Sequence, residues 1–179
     1  MIHRHHIKSS MTILERYLPG SGGGPYQEGG SLYALGMIHC GDSNPNTCFK
    51  VREYLLEQLT QASNEILQHG SCLGLALAAL GSQEERFMTA VKDILYNDRA
   101  VPGEAAGVAL GLLQAGANVR DEQEVANVNR WFQEMLAYAH ETQHEKIIRG
   151  LVVGIALMHY NFEEKADPVI QTLIKGLYK

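Results

Sequence analysis

The most recognisable chemistry in this 179-residue chain is the string His140-Glu141-Thr142-Gln143-His144. Two histidines four apart on one continuous helix present their rings one turn apart. The glutamate between them can then activate a zinc-bound water, and Glu163 follows at a spacing compatible with a third ligand. That would be a zinc metallopeptidase. The chemistry needs an unbroken helix through both histidines and an apolar setting that controls water. Here the amphipathic spacing ends one helix near Tyr138 and Ala139, and a second begins near Glu145. Glu145 and Lys146 also put two charges where the peptidase helix stays apolar. The string therefore reads as a solvated junction between helices, with no metal expected.

Other chemistry-bearing residues have equally local readings. His3, His39 and His159 share one position in a repeating pattern, as polar residues closing a helix near its turn. His39 and His159 lie three repeats apart, too far to share an ion when packed helix axes are about 8–10 Å apart. Trp131 and Phe132 could anchor a partner, but Phe132, Met135 and Leu136 also make the buried stripe of a helix. Glu84-Glu85 and Glu163-Glu164 stand at helix starts, where acidic groups complement the helix dipole. Cys40, Cys48 and Cys72 have no metal-type spacing and read as free thiols of a reducing compartment. No nucleophile–base pair, phosphate loop or metal cluster emerges, so neither a catalytic residue nor a cofactor is expected.

The elements that carry these residues recur. Aligned on Gly41, Gly81, Gly116 and Asn161, four segments share small residues eleven positions earlier (Gly30, Gly70, Ala105, Gly150). They share them again seven earlier (Ala34, Gly74, Ala109, Gly154) and five earlier (Gly36, Ala76, Gly111, Ala156). A large aliphatic sits between the last two: Leu35, Leu75, Leu110 or Ile155. Spacings of 40, 35 and 45 residues fall in the band of repeat proteins. Met1-Ile2-His3 echoes Met37-Ile38-His39, as though the chain opens in the tail of an earlier copy. Glycine inside a helix costs about 1 kcal/mol relative to alanine, and close approach of another backbone is the usual compensation. These segments, apolar nearly all round, read as inner helices packed on both sides. Between them, segments 11–18, 51–62, 84–96, 125–138 and 168–178 are amphipathic and read as outer helices with one wet face.

Punctuation agrees. The Gly-rich stretch within 19–25 is a linker, 42–46 is a turn, and Asn97-Asp98 ends the third outer helix. Pro102 fits the first position of a helix and Asp167-Pro168 an N-cap followed by proline. The polar link 117–130 accounts for the 45-residue spacing. No alternation typical of strands is present. A net charge of −5 argues against nucleic-acid binding. The longest apolar runs are about half the length needed to span a bilayer, and the N-terminus lacks the apolar core of a signal peptide.

Three strings, 26–36, 103–107 and 141–146 running into Arg149-Gly150, resemble the proteasome/cyclosome repeats of the large non-ATPase subunits in the base of the proteasome regulatory particle. The last string marks the branch of the largest of these subunits, where Gln stands in place of His140. The resemblance covers essentially the whole chain. It implies an all-α fold, an α-solenoid of helix-hairpin repeats forming an open arc of an α-toroid, with inner small-residue helices and outer amphipathic ones. It implies residues 1–179 as a single array of about four repeats, truncated at both ends, with a flexible linker at 20–25. It further implies a non-enzymatic scaffold in cytoplasm and nucleus that holds the ATPase ring, lid and ubiquitin receptors together in degradation of ubiquitinated proteins. The alternative it leaves open is a binding module for ubiquitin or ubiquitin-like domains, which needs an acidic or apolar patch on outer helices. Lacking terminal caps, the isolated chain is expected to self-associate, through a last inner helix exposing Leu151, Ile155 and Met158.

Overall fold

The computed structural model describes residues 7–42 and 44–177. Within them the chain forms nine α-helices and three short 3₁₀ turns, and no strand. The helices are α1 (Ser10–Leu14), α2 (Pro25–Ile38), α3 (Pro45–Gln61), α4 (Glu65–Ala78), α5 (Glu85–Tyr96), α6 (Ala100–Gln114), α7 (Glu122–Glu141), α8 (Glu145–Met158) and α9 (Asp167–Leu177). Helices α2, α4, α6 and α8 form the inner layer and stack side by side in chain order. Helices α3, α5 and α7 each pack on the inner helix that follows them. This is an α-solenoid, as the repeat spacing predicts.

The phase markers hold in three dimensions. Gly41, Gly81, Gly116 and Asn161 all have left-handed φ angles of 66 to 82°, the conformation that ends a helix and favours glycine or asparagine. The small residues then let neighbouring backbones touch. A Cβ on Gly36 or on Gly111 would strike the backbone of Gly74 or Gly154, respectively. One on Gly107 would lie 2.6 Å from the Leu151 nitrogen, and one on Gly29 the same distance from the Ile66 carbonyl oxygen.

Close contact by glycines within the helices is confined to alternate seams. The α4 glycines face α2 and the α6 glycines face α8. At the α4–α6 seam the equivalent positions are Ala76 and Ala109, both fully buried. The backbone there is instead tied at the helix ends, where Gly81 N–H and Gln83 N–H donate to the Leu112 and Leu113 carbonyls. Gly30, equivalent in sequence to Gly70, meets nothing within 4 Å.

Several boundaries differ from expectation. Residues 11–18 make only one turn of α-helix between 3₁₀ turns. The link after α6 is residues 115–121, ending nine residues earlier than expected, because the Asp121 carboxylate caps α7 by accepting from Gln123 N–H and Glu124 N–H. The uneven repeat spacing instead follows outer-helix length, which is 17, 12 and 20 residues for α3, α5 and α7. Pro102 is the third residue of α6, still in the first turn where backbone N–H groups lack helical partners. A 3₁₀ turn, Glu163–Ala166, precedes α9, which begins at Asp167 itself. Pro25 and Pro45, read from the sequence as part of the linker and of the turn, instead open α2 and α3, where a proline in the first turn loses no helical bond. Leu151, Ile155 and Met158 are buried; the open flank of α8 carries Val152 and Val153, 39% and 43% exposed, with Ala156 beside them. One residue along a helix turns a side chain about 100°, which moves the exposed row one position from the large aliphatics that face the core.

Candidate functional site

The structure breaks the zinc-peptidase string in two. Helix α7 ends at Glu141, Thr142 is its extended C-cap, and His144 is the N-cap of α8. The two histidines therefore do not share a helix face. Glu163 lies beyond the other end of α8, whose fourteen residues span about 21 Å. Among the described residues no group of three or more His, Cys, Asp or Glu could hold a metal ion. His140 and Glu141 are exposed.

Thr142, which the peptidase pattern treats as filler, is the buried member of the string. Its hydroxyl donates to Asp98 Oδ1 at 2.7 Å, and the Tyr138 hydroxyl reaches the same oxygen at 2.9 Å and the Leu95 carbonyl at 3.1 Å. His144 Nε2 approaches Asp98 Oδ2 at 3.7 Å. Asp98 itself sits at φ 50° in the turn between α5 and α6. The hydrogen bonds from Thr142 and Tyr138 hold its carboxyl below the ordinary value. Burial, with the Asp98 charge, pushes the Tyr138 phenol up. The string thus clamps one inter-helix turn to the next.

Sequence reasoning missed a second cluster. Ser10 Oγ lies 2.8 Å from His39 Nε2, and His39 Nδ1 lies 3.1 Å from Asp42 Oδ2. Asp42 also accepts from the Thr47 hydroxyl at 2.6 Å and from Asn44 N–H at 2.9 Å. Burial raises the Asp42 carboxyl, but the bonds from Thr47, Asn44 and His39 outweigh it and leave the group lowered. An ionised carboxylate only accepts, so Nδ1 carries the proton and, in the neutral ring, Nε2 accepts from Ser10. This is the connectivity of a nucleophilic triad. Ser10, however, is only 2% exposed, so its hydroxyl faces no approach for a substrate. The cluster fastens α1 to the end of α2. Ser10 lies 29 positions from His39, and the one sequence signal was His39 recurring just before the closing glycine.

His159, at the equivalent position, is also buried; its Nδ1 bonds the Ile155 carbonyl at 2.8 Å and its ring meets Phe132 and Phe162 edge-on. His3 lies outside the described residues. Gln114 takes the same position in the third copy, fully buried, with neither side-chain polar atom bonded. Trp131 and Phe132 are both buried, which rules out an exposed anchor there, while Leu136 is half-buried. Cys48 and Cys72 are buried and Cys40 is half-buried, all free thiols. Burial pushes the Cys72 thiol up.

What remains is surface between the outer helices. Between α3 and α5 runs a groove of about 720 Å³, floored by Leu56, Ala90 and Ile94. It is edged by Glu53 and Glu57 on one side and by Arg86 and Asp93 on the other. Arg86 is held at one end by Glu53 and by Glu84.

Comparison with known proteins fits this architecture. The proteasome/cyclosome repeat family matches residues 30–68, a span that begins at Gly30, the first small residue of the repeat pattern. The chain is 46% identical over 179 residues, 98% of its length, to 26S proteasome non-ATPase regulatory subunit 1 homolog B of Arabidopsis thaliana. It is 43% identical over 175 residues, 97% of its length, to the non-ATPase regulatory subunit 1 of Drosophila melanogaster. To the 26S proteasome regulatory subunit rpn2 of Schizosaccharomyces pombe it is 43% identical over 180 residues, 99% of its length. It covers 16%, 16% and 17% of these relatives, respectively, so the chain spans about a sixth of the length of the curated relatives it matches. On stacked helix hairpins with glycine seams, a matching repeat and identity along nearly its whole length, the chain belongs to the proteasome/cyclosome-repeat family, in the branch of 26S proteasome non-ATPase regulatory subunit 1.

Proposed function

We propose that the chain is a non-catalytic scaffold segment of a proteasome regulatory particle, organising protein–protein contacts for the degradation of ubiquitinated proteins in cytoplasm and nucleus. The observation that carries this is where its polar chemistry goes. Ser10, His39 and Asp42, and Asp98, Tyr138 and Thr142, bond to one another across turns instead of opening onto a site. The surface left free includes the faces of paired outer helices and the open flank of α8. Such an array presents long faces to neighbours and leaves its chemistry inside. Its neighbours would be the ATPase ring, the lid and the ubiquitin receptors, with no metal or cofactor of its own. Among the described residues no helix is long and apolar enough to cross a membrane.

The test is replacement. This chain is exchanged for the matching stretch of a relative's non-ATPase regulatory subunit 1, and regulatory particles are resolved on native gels. Assembly at the parental level supports the scaffold reading. A chimera that folds but is left out of the particle refutes it. A second reading, recruitment of ubiquitin or ubiquitin-like domains, is favoured by the acidic edges of the α3–α5 groove. Retention of the chain on immobilised ubiquitin would bring it forward.

A further inference from the structure

The two grooves between successive outer helices are built from the same positions but finished differently. The buried stripes set the register: Val51, Leu55 and Leu59 on α3; Phe87, Val91 and Leu95 on α5; Trp131 and Met135 on α7. One position after Leu55 and one before Val91 stand Leu56 and Ala90. The same positions in the α5–α7 groove are Lys92 and Glu134, which form a 2.7 Å ion pair. That groove is closed further by Arg130 on Glu85 and by Lys92 lying 5.4 Å from the Trp131 ring. The α3–α5 groove has its cross-helix ion pairs, Arg86–Glu53 and Arg52–Glu84, at one end. Its other end keeps an apolar floor, with Glu57 bonded only to the Gln61 amide and Asp93 without any partner among the described residues.

From this contrast we infer that the α3–α5 groove is a docking site for a cationic amphipathic helix of a partner protein. The inference rests on the scaffold reading and gives it a specific contact. From Arg86 to Asn97 the groove runs roughly 16 Å at 1.5 Å per helical residue, room for about three turns of a helix. An apolar face against Leu56, Ala90 and Ile94 supplies burial, in the manner of helix-in-groove recognition. Lysine or arginine at the edges meets Glu57 and Asp93, and the complementary charge selects the partner and speeds encounter. A metal ion is a poor occupant, since the acidic residues here do not gather into a metal-binding group.

The experiment uses the whole chain and a fluorescein-labelled helical peptide with leucine on one face and lysine on the other. A peptide with glutamate replacing lysine is the control, and anisotropy is the readout. The lysine peptide should bind in a salt-dependent way and the glutamate peptide should not. Glu57→Lys with Asp93→Lys should weaken binding at least about tenfold, whereas Glu163→Lys with Glu164→Lys, equal in charge change, should not. The decisive variant is Leu56→Lys with Ala90→Glu, which leaves net charge unchanged and installs the ion pair of the other groove. It should fold, by circular dichroism, and lose the peptide. Equal binding of both peptides, or undiminished binding by the ion-pair variant, overturns the inference. Run in the replacement chimera, the same variant separates the two readings. Loss of peptide binding alone leaves the scaffold reading intact, and a parental chimera that never assembles defeats that reading whatever the peptide does.

Discussion

Gly111 and Gly30 are both helix glycines in the small-residue pattern, and the structure assigns their replacement by alanine opposite signs. At Gly111 an added Cβ would stand 2.6 Å from the Gly154 carbonyl carbon and nearer still to two other backbone atoms. Ordinary contact begins near 3.4 Å, so α6 and α8 must separate by about 1 Å. Backbone cannot rotate aside as a flexible side chain can. A gap of about that size forfeits a quarter to a half of each contact along the seam, where Gly107, Gly150 and Gly154 depend on the same approach. Overpacking of this kind costs about 1–3 kcal/mol before lost seam contacts are added, and the better helix propensity of alanine returns about 1 kcal/mol. A net loss of about 2 kcal/mol follows, a fall in Tm of about 4–8 °C for a chain of this size. Gly30→Ala meets nothing and keeps only the propensity gain, about 0.5–1 kcal/mol of added stability. Thermal and urea melts of both variants, followed by helical circular dichroism, read the two signs. If Gly111→Ala melts at or above the parent, or both variants move the same way, the backbone-contact account of this solenoid is wrong.

Four further outcomes are expected. Gln114→Met removes two unbonded buried polar atoms and should raise stability by about 1–3 kcal/mol in the same melts; a loss would show that the amide holds a buried water. Asp98→Asn keeps a residue tolerant of positive φ but removes the charge that Thr142 and Tyr138 bond. Because the folded carboxyl is lowered, its contribution is present above the ordinary carboxylate range and fades as pH falls through the folded value. Parent and variant should therefore differ at pH 7 and converge in acid, and a constant difference between them would refute the clamp. His140→Gln should change neither the melt nor the metal content of chelator-free protein; stoichiometric zinc lost in this variant would revive the metallopeptidase reading. The chain alone should self-associate through the open α8 flank, with Val152→Glu restoring a monomeric mass by light scattering across a concentration series. A parent that stays monomeric at high micromolar concentration would show that the flank is not adhesive.

The repeat phase, the division into inner and outer helices and the stops of the inner helices were legible in the residues alone. Each follows from a local rule. A helix that repeats glycine at fixed spacing must be met by another backbone, and Gly41, Gly81, Gly116 and Asn161 each mark a left-handed stop. The break in the zinc-peptidase string was legible for the same reason, since it follows from where one amphipathic period ends and the next begins. Family membership was legible from strings of residues lying on these repeats.

What only the tertiary structure decided depends on partners distant in sequence. Sequence equivalence made Gly30 and Gly70 alike, but only Gly70 has a neighbouring backbone against it. Nothing local showed that contact by glycines within the helices alternates from seam to seam, or that the exposed row on α8 is Val152 and Val153 rather than Leu151 and Ile155. Ser10, His39 and Asp42 became a bonded chain only when α1 folded back across 29 positions. The α3–α5 groove is open and its neighbour closed because residues about forty apart either pair, as Lys92 and Glu134 do, or, like Leu56 and Ala90, are apolar and cannot. Hydrophobic period and turn chemistry act within a few residues, so they can be read along the chain. Contact between helices is a property of two surfaces at once, and no single stretch of sequence contains both.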